Sequence, residues 1–195
     1  MGIQATSVKS PERACLFIDG NNFYHFVKGC VAAPGALSYA KLSQKLIGTR
    51  TWVSTGYYIG AMKQSWNAKH YADQRSFLTQ IQNEDRRIRV HLGRLERRSE
   101  INPLAAPLLA YLDDPSATLP VSAANSIRQL IEAHAQVETL KEKAVDIMLA
   151  RDMLVGAIDG EYDCAYLLSA DGDFTPIVES ARQRGDLSPE SRSAA

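Results

Sequence analysis

Cysteine is scarce in this sequence of 195 residues, which contains three cysteines and no Cys-x-x-Cys pair. Cys15 and Cys164 lie within apolar runs, where a thiol acts as a small hydrophobic side chain. Three scattered cysteines make neither a disulfide framework nor a cysteine zinc site. We therefore expect a protein of the reducing cytoplasm.

Net charge and long apolar runs are also absent. Lys and Arg total 22 and Asp and Glu total 22, so the formal net charge at pH 7 is zero. This balance excludes a uniformly basic surface, and any contact with nucleic acid must be local. No run approaches the ~18 apolar residues that a membrane span needs, so we expect no integral membrane segment.

What the sequence does contain is an alternation of strand and helix patterns, without an internal repeat. Apolar runs or two-residue alternation predict strands over residues 14–19, 54–60, 88–92 and 165–171. Helical spacing predicts helices over residues 38–47, 67–84, 126–136, 139–158 and 174–184. The order favours an α/β domain with a mainly parallel sheet that is covered on both faces.

One stretch breaks this alternation. Four of the eight prolines fall within residues 100–125, together with several Asp and Ser residues. This composition predicts an inserted loop. Helical pattern resumes at Ser126, and Thr139 and Glu142 have the spacing of a capping box for the helix that follows.

Two of the predicted strands end in carboxylates. Asp19 ends the first strand within FIDGNN, and Asp171 and Asp173 follow the last one within LLSADGDF. In parallel α/β sheets, sites form beyond the carboxyl ends of the strands, so these acids are candidates for one site. The alternative is that Asp, Gly and Asn are ordinary turn residues after a strand.

A third acid lies in the helical segment KAVDIMLARDML. Its apolar residues occupy nearly the whole circumference of the helix, so we expect the helix to be mostly buried. Asp146 would then need a partner or a metal ion, because an unpaired buried carboxylate costs several kcal/mol. An ion pair with Lys143, three residues earlier, is the alternative. Asp152 lies on a different side of the helix, and we expect it to cap or pair elsewhere.

The candidate acids form an oxygen-rich set without imidazole. Asn22 and Ser169 add an amide and a hydroxyl group to the four carboxylates of Asp19, Asp146, Asp171 and Asp173. Such a set suits Mg²⁺ or Mn²⁺ and does not suit structural zinc. One or two such ions would polarise a phosphodiester and activate an attacking water.

Three motifs resemble the NYN domains, relatives of the PIN and flap-nuclease fold that include the LabA-like group. They are FIDGNNFY (residues 17–24), EKAVDIMLARDML (142–154) and LLSADGDFTPIVESARQRG (167–185), in the family's order. The resemblance implies a Rossmann-like, three-layer α/β/α fold and a metal-dependent, endoribonuclease-like hydrolase. It implies metal-binding and catalytic roles for Asp19, Asp146, Asp171 and Asp173, supported by Asn22, Lys143 and Ser169.

The resemblance also implies a division of the chain. We expect a flexible N-terminal segment over residues 1–13, an NYN domain over 14–185 with the Pro-rich insertion at about 100–125, and a polar tail over 186–195. The family usually continues with a further short strand, whereas the tail DLSPESRSAA has no strand pattern. An edge strand is therefore expected to be missing. The insertion precedes the Asp146 helix, where it would form a lid or a partner surface.

For the substrate, the chain offers six arginines within residues 86–98. We take Arg94, Arg97 and Arg98 as the candidate RNA-binding residues of a patch that tracks phosphates, and single-stranded RNA as the expected partner. The alternative is that these arginines only form a solvent-exposed surface on a strand and at the end of a helix. Tyr57, Tyr58 and Trp66 would either stack on bases or lie in the core. The four histidines show no ligand spacing.

Two other functions compete with the nuclease. ADGDFT fits the DxDxT loop of haloacid-dehalogenase-type phosphatases, but only 22 residues follow Asp173, too few for the remaining motifs of that family. The second alternative is a non-catalytic NYN-like regulator that binds RNA or a protein. Self-association or binding of a protein partner is left open.

Overall fold

A computed structural model describes residues 10–30, 34–116 and 118–185. Most of the predicted N-terminal segment and all of the predicted polar tail lie outside these residues. Within them there are five strands and seven helices, in the order β1 (Arg13–Asp19), α1 (Gly20–Cys30), α2 (Tyr39–Ile47), β2 (Thr51–Ala61), α3 (Ala68–Glu84), β3 (Ile88–Ile101), α4 (Ala105–Asp113), α5 (Val121–Ala133), β4 (Gln136–Lys143), α6 (Val145–Ile158), β5 (Cys164–Leu168) and α7 (Thr175–Gly185).

The strands form one sheet in the order β4-β3-β2-β1-β5. The pairs β1–β2, β1–β5 and β2–β3 are parallel, and β4 is the single antiparallel strand. The predicted α/β fold with a mostly parallel sheet is confirmed. Because β1 lies between β2 and β5, the carboxyl ends of these three strands meet at one edge of the sheet.

Alternate residues of β1 belong to two hydrophobic clusters. Leu16 and Ile18 belong to the cluster that α2 and α3 complete. Cys15 and Phe17 belong to the cluster that α6 completes. Since successive strand residues point to opposite faces, helices cover both faces of the sheet. This double cover explains why β1 is apolar from Ala14 to Ile18.

Two of the predicted helices begin at side-chain caps. Ser38 Oγ accepts a hydrogen bond from the Lys41 N–H at 3.3 Å, and Asn67 Oδ1 accepts one from the His70 N–H at 2.9 Å. Both caps satisfy backbone donors that the first helical turn leaves unpaired. The starts of α2 and α3 are therefore decided locally.

The chain separates into two compact units: residues up to Arg94 together with those from Glu142 onward, and Leu95–Lys141. The second unit contains the Pro-rich stretch, and the prediction of a loop there is wrong. Residues Ala105–Asp113 form α4, with Pro107 in its first turn, and Pro120 immediately precedes α5. Proline is tolerated at these places because the first N–H groups of a helix have no intrahelical partner.

The predicted capping box is also wrong. Thr139 and Glu142 lie in β4, and α6 begins only at Val145, with no side-chain cap at Ala144. Within the second unit, Ser99 Oγ of β3 donates to Gln136 Oε1 at 3.0 Å, and Lys141 pairs with Glu100 at 2.8 Å. Pairing with a distant strand therefore overrides the local helix signal.

No helix of the described residues is both long enough and apolar enough to cross a membrane.

Candidate functional site

Asp19 lies at the carboxyl end of β1 and holds two neighbouring segments together. It is 6% exposed. Its Oδ2 accepts a hydrogen bond from Ser169 Oγ at 2.8 Å, and its Oδ1 accepts one from the Asn22 backbone N–H at 3.2 Å. Asn22 Oδ1 in turn accepts from the Ala170 N–H at 3.1 Å. Both oxygens of Asp19 are thereby oriented by groups that follow β1 and β5.

Gly20 has a packing role at this edge. A Cβ atom there would lie 2.7 Å from the Tyr58 backbone oxygen, too close for any side chain. Tyr57 Oη donates to the Gly20 carbonyl at 3.2 Å. The glycine of FIDGNN thus lets the start of α1 approach β2, and this requirement goes beyond ordinary turn chemistry.

The loop after β5 presents two further carboxylates. Asp171 N–H donates to Ser169 Oγ at 3.1 Å, and Asp171 Oδ1 accepts from the Asp173 N–H at 2.9 Å. Both aspartates are exposed. Ser169 therefore links the loop that carries these acids to the carboxylate of Asp19.

Asp146 lies in the first turn of α6, where the helix dipole favours an acid. The prediction that this helix is mostly buried is wrong: Ile147 is 73% exposed, and Asp146 itself is exposed. Only one side of α6, marked by Val145, Leu149 and Met153, packs on the sheet. In the described part of the chain, no cationic side chain pairs with Asp146, so the alternative of a Lys143 ion pair is not seen.

Asp19, Asp146 and Asp171 line one open pocket of about 550 Å³. Its lining residues are Asp19, Asn21, Asn22, His25, Phe26, Glu142, Asp146 and Asp171. The pKa of Asp146 is raised, first by partial desolvation and then by the negative charges of Asp19, Asp171 and Asp173. Asp173 is thus close enough to act on the pocket electrostatically, although it does not line it.

Sequence reasoning missed Glu142 as a residue of this pocket. Its Oε1 accepts a hydrogen bond from the Gly60 N–H at 2.7 Å. Desolvation raises the pKa of Glu142, and the charges of Asp19 and Asp146 raise it further. Its place four residues before Asp146 in the EKAVD segment was the available signal.

Sequence reasoning predicted Asn22 as a site residue but missed the other residues of α1 that line the pocket. Asn21 and His25, and likewise Asn22 and Phe26, are four residues apart, so each pair lies on the same side of the helix. All four line the pocket. Helical spacing from the FIDGNN motif would have found His25 and Phe26.

The remaining predicted site residues lie elsewhere. Lys143 is exposed and does not line the pocket. Arg94 is exposed on β3, where Arg97 pairs with Glu138 at 3.3 Å and Arg98 with Glu96 at 3.8 Å. Exposed ion pairs of this kind contribute little free energy, so Arg97 and Arg98 are only weakly bound to their acidic partners.

Of the aromatic residues considered for base stacking, two belong to the core. Tyr57 is 0% exposed and Tyr58 is 2% exposed. Trp66 is half-buried, with Lys63 Nζ 4.7 Å from its ring centroid. Base stacking by Tyr57 or Tyr58 is therefore excluded by burial.

The other acid of α6, Asp152, has a different environment. Its Oδ2 accepts a hydrogen bond from Tyr58 Oη at 3.1 Å and lies 3.5 Å from His91 Nδ1. Its Oδ1 accepts from Arg151 at 2.6 and 2.8 Å. The expectation that Asp152 pairs away from Asp146 is confirmed.

The donor atoms of the pocket fit a hard divalent cation. The carboxylate and amide oxygens of the lining are ligands that such a cation prefers, the imidazole of His25 is not, and no Lys or Arg is among the described lining residues. In residues 10–30, 34–116 and 118–185, however, no three Asp, Glu, His or Cys side chains are grouped closely enough to hold a metal ion. An ion here would depend on water and substrate oxygens to complete its shell, as Mg²⁺ commonly does.

Comparison with known proteins agrees with the predicted family. The sequence model described as NYN domain matches residues 13–188, most of the chain. NYN domains belong to the PIN-like nuclease superfamily. Membership of the LabA-like group stays a prediction. No curated protein matches the chain.

The fold is similar to that of a crystal structure of a protein of unknown function from Vibrio parahaemolyticus. The two share 18% sequence identity with a TM-score of 0.51, over 93% of this chain and 80% of the other. This likeness concerns the fold alone. The family follows from the sequence match: the chain belongs to the NYN domain family.

Proposed function

We propose that this NYN domain is a divalent-metal-dependent ribonuclease that hydrolyses RNA phosphodiester bonds. One observation carries the proposal: acids from β1, β4, α6 and the loop after β5 line a single pocket without a lysine or arginine among its described lining. Like charges in one pocket repel one another: the pKa of Asp146 is raised first by partial desolvation and further by the charges of Asp19, Asp171 and Asp173. A cation is the group that would relieve it.

In this proposal, Asp19, Asp146, Asp171 and Asp173 would hold Mg²⁺ or Mn²⁺ only together with water and substrate oxygens, because no three of the described acids are grouped closely enough to hold the ion alone. Such an ion would polarise the phosphodiester and lower the pKa of the attacking water. Ser169 and Asn22 orient the two oxygens of Asp19 through the hydrogen bonds described above. Such supporting groups hold ligands in the productive geometry. Lys143 is exposed. Its supporting role in the site is implied by the family resemblance alone.

Single-stranded RNA is the proposed partner, and arginines are its proposed phosphate contacts. Arg94, Arg97 and Arg98 would contact phosphates, which contribute affinity without sequence preference. Charge reversal at all three should weaken RNA binding and reduce its salt dependence while metal binding is unchanged. Filter binding at several salt concentrations measures both quantities.

The second candidate function is a regulator that binds RNA or a protein without cutting. The absence of a preassembled three-ligand group among the described residues favours it. Both candidates use the same fold and the same arginines. Only turnover separates them.

The deciding experiment measures cleavage of single-stranded RNA with Mg²⁺, with Mn²⁺ and with EDTA. Asp171→Asn should abolish metal-dependent cleavage while RNA affinity stays close to that of the parent. Asp159→Asn is the matched control, because Asp159 is an exposed acid at the other end of α6. If the purified parent never cuts with metal, or if Asp171→Asn cuts equally well, the regulator replaces the nuclease.

A further inference from the structure

Phe26 is an exposed aromatic residue in a pocket otherwise lined by polar groups. It is 62% exposed and shares the pocket with Asp19, Asp146 and Asp171. Single exposed apolar residues are common on protein surfaces and need no explanation. Phe26 differs from such residues because it lies beside the carboxylates of the candidate site.

The geometry of α1 holds Phe26 at that position. Phe23 and Val27 anchor the helix on its inner side, where Val27 is buried and Phe23 packs against the core. Asn22 is tied to Asp19 and to the loop after β5. Phe26 follows Asn22 by four residues, about 6 Å along the helix axis on the same face. Phe26 is therefore placed beside the acids by a helix that is itself anchored on the core.

Besides the proposed cation, the pocket has an uncharged group that can attract its substrate. The carboxylates of Asp19, Asp146, Asp171 and Glu142 repel the phosphate groups of a nucleic acid. A phenyl ring attracts a nucleobase by stacking, whatever the base, because every base has a π-face. Among the described residues that line the pocket, Phe26 is the only aromatic hydrocarbon ring.

We infer that Phe26 is a stacking platform for one unpaired nucleobase of the bound nucleic acid. The inference rests on the proposed function. It gives a physical reason why the substrate must have an unpaired base at the site. In a duplex, the faces of each base are covered by neighbouring base pairs, so the ring would have no free face to stack on. The site therefore takes single-stranded RNA or an unpaired end or loop.

The test uses single-stranded RNA that contains 2-aminopurine, whose fluorescence is quenched by stacking. All proteins carry Asp171→Asn so that the RNA stays intact, and Mg²⁺ is present throughout. Phe26→Ala should weaken binding by on the order of tenfold and reduce the quenching. Phe26→Trp should retain both properties. Tyr111→Ala is the matched control, since Tyr111 is 57% exposed in the second unit and does not line the pocket.

Two results would overturn the inference. One is equal affinity and equal quenching for the Phe26→Ala protein and its parent. The other is an equally large effect of Phe26→Ala on a fully paired duplex with the same 2-aminopurine. Failure of the nuclease proposal is distinguishable, because it is seen as absence of cleavage by the protein with Asp171 intact. Quenching that depends on Phe26 would still support the stacking platform.

Discussion

Asp146 and Asp152 lie on the same helix, six residues apart, in opposite electrostatic environments. Asp146 faces the carboxylates of Asp19, Asp171 and Asp173, and these charges add to the rise of its pKa. Asp152 receives hydrogen bonds from Tyr58 and Arg151 and lies beside His91. One acid is surrounded by like charge and the other by donors.

The two environments indicate two different roles for a carboxylate, one structural and one in ligand binding. Asp152 already has the partners that a half-buried acid needs, so its role is to hold α6 against β2 and β3. Asp146 lies in a pocket whose described lining offers it no lysine or arginine. A ligand from outside the chain is the remaining way to compensate that charge. The following predictions test this comparison.

The largest expected effect is on RNA cleavage. Asp146→Asn should lower the rate by more than ~100-fold, because loss of a metal-holding group should exceed the ~10–100-fold effect of groups that only support a ligand. Asp152→Asn should cleave at a rate close to that of the parent. Initial rates on one single-stranded RNA at saturating Mg²⁺ measure both. Equal losses for the two variants would contradict the comparison.

The second expected effect is on stability and has the reverse order. Asp152→Ala should lower the free energy of unfolding by ~1–3 kcal/mol, because it leaves the buried Tyr58 hydroxyl without its acceptor. Asp146→Ala should leave stability unchanged or raise it, since it removes a repelled charge. Urea unfolding of the two variants and the parent measures the difference. A larger loss for Asp146→Ala would show that this acid is structural.

The third expected effect is stabilisation by metal. At ten times its dissociation constant, Mg²⁺ should add about 1.4 kcal/mol to the parent, because only the folded chain brings the acids together. Asp152→Asn should keep the rise in melting temperature, and Asp146→Asn should reduce it. Thermal unfolding with and without Mg²⁺ gives the values. A rise that is the same in Asp146→Asn and the parent would remove Asp146 from the proposed ligands.

The smallest expected effect is a pH dependence at the Asp152 cluster. Burial lowers the pKa of His91 from 6.5, Arg89 and Arg151 lower it further, and Asp152 acts in the opposite direction. As the pH falls below 6.5, the unfolded chain takes up this proton before the folded chain does, so stability decreases until the lowered folded pKa is passed. Above pH 6.5 this contribution is constant.

His91→Gln should therefore flatten the decline in stability below pH 6.5. Unfolding midpoints of the parent and the variant between pH 5 and 7.5 measure the difference. His134→Gln is a suitable control, because His134 is exposed. An identical pH dependence for His91→Gln and the parent would show that His91 does not contribute to it.

Much of the fold could be predicted because its signals are local. The apolar run of β1 requires burial on both sides, and caps at Ser38 and Asn67 mark helix starts within a few residues. Acids at the ends of β1 and β5 are predictable neighbours once the strands are taken as parallel. The order of motifs was sufficient to predict the NYN family.

Other features depend on partners that are distant in the sequence. Thr139 and Glu142 have a helical cap spacing, but pairing with β3 places them in a strand. Burial decides that Tyr57 and Tyr58 belong to the core while Phe26 faces the acid pocket. The sequence alone does not distinguish a core aromatic residue from one that lines a pocket, because the role of an aromatic ring depends on which side of its strand or helix it occupies.

The sequence by itself determined which residues carry charge and where strands and helices alternate. Only the tertiary structure decided that Asp146 lies among carboxylates and Asp152 among donors. The physical reason is that a charge interacts through space with every group around it, and those groups come from β1, β2, β3 and the loop after β5. Spacing along one helix predicts that the two acids lie on different sides, but it does not say which groups each of them meets.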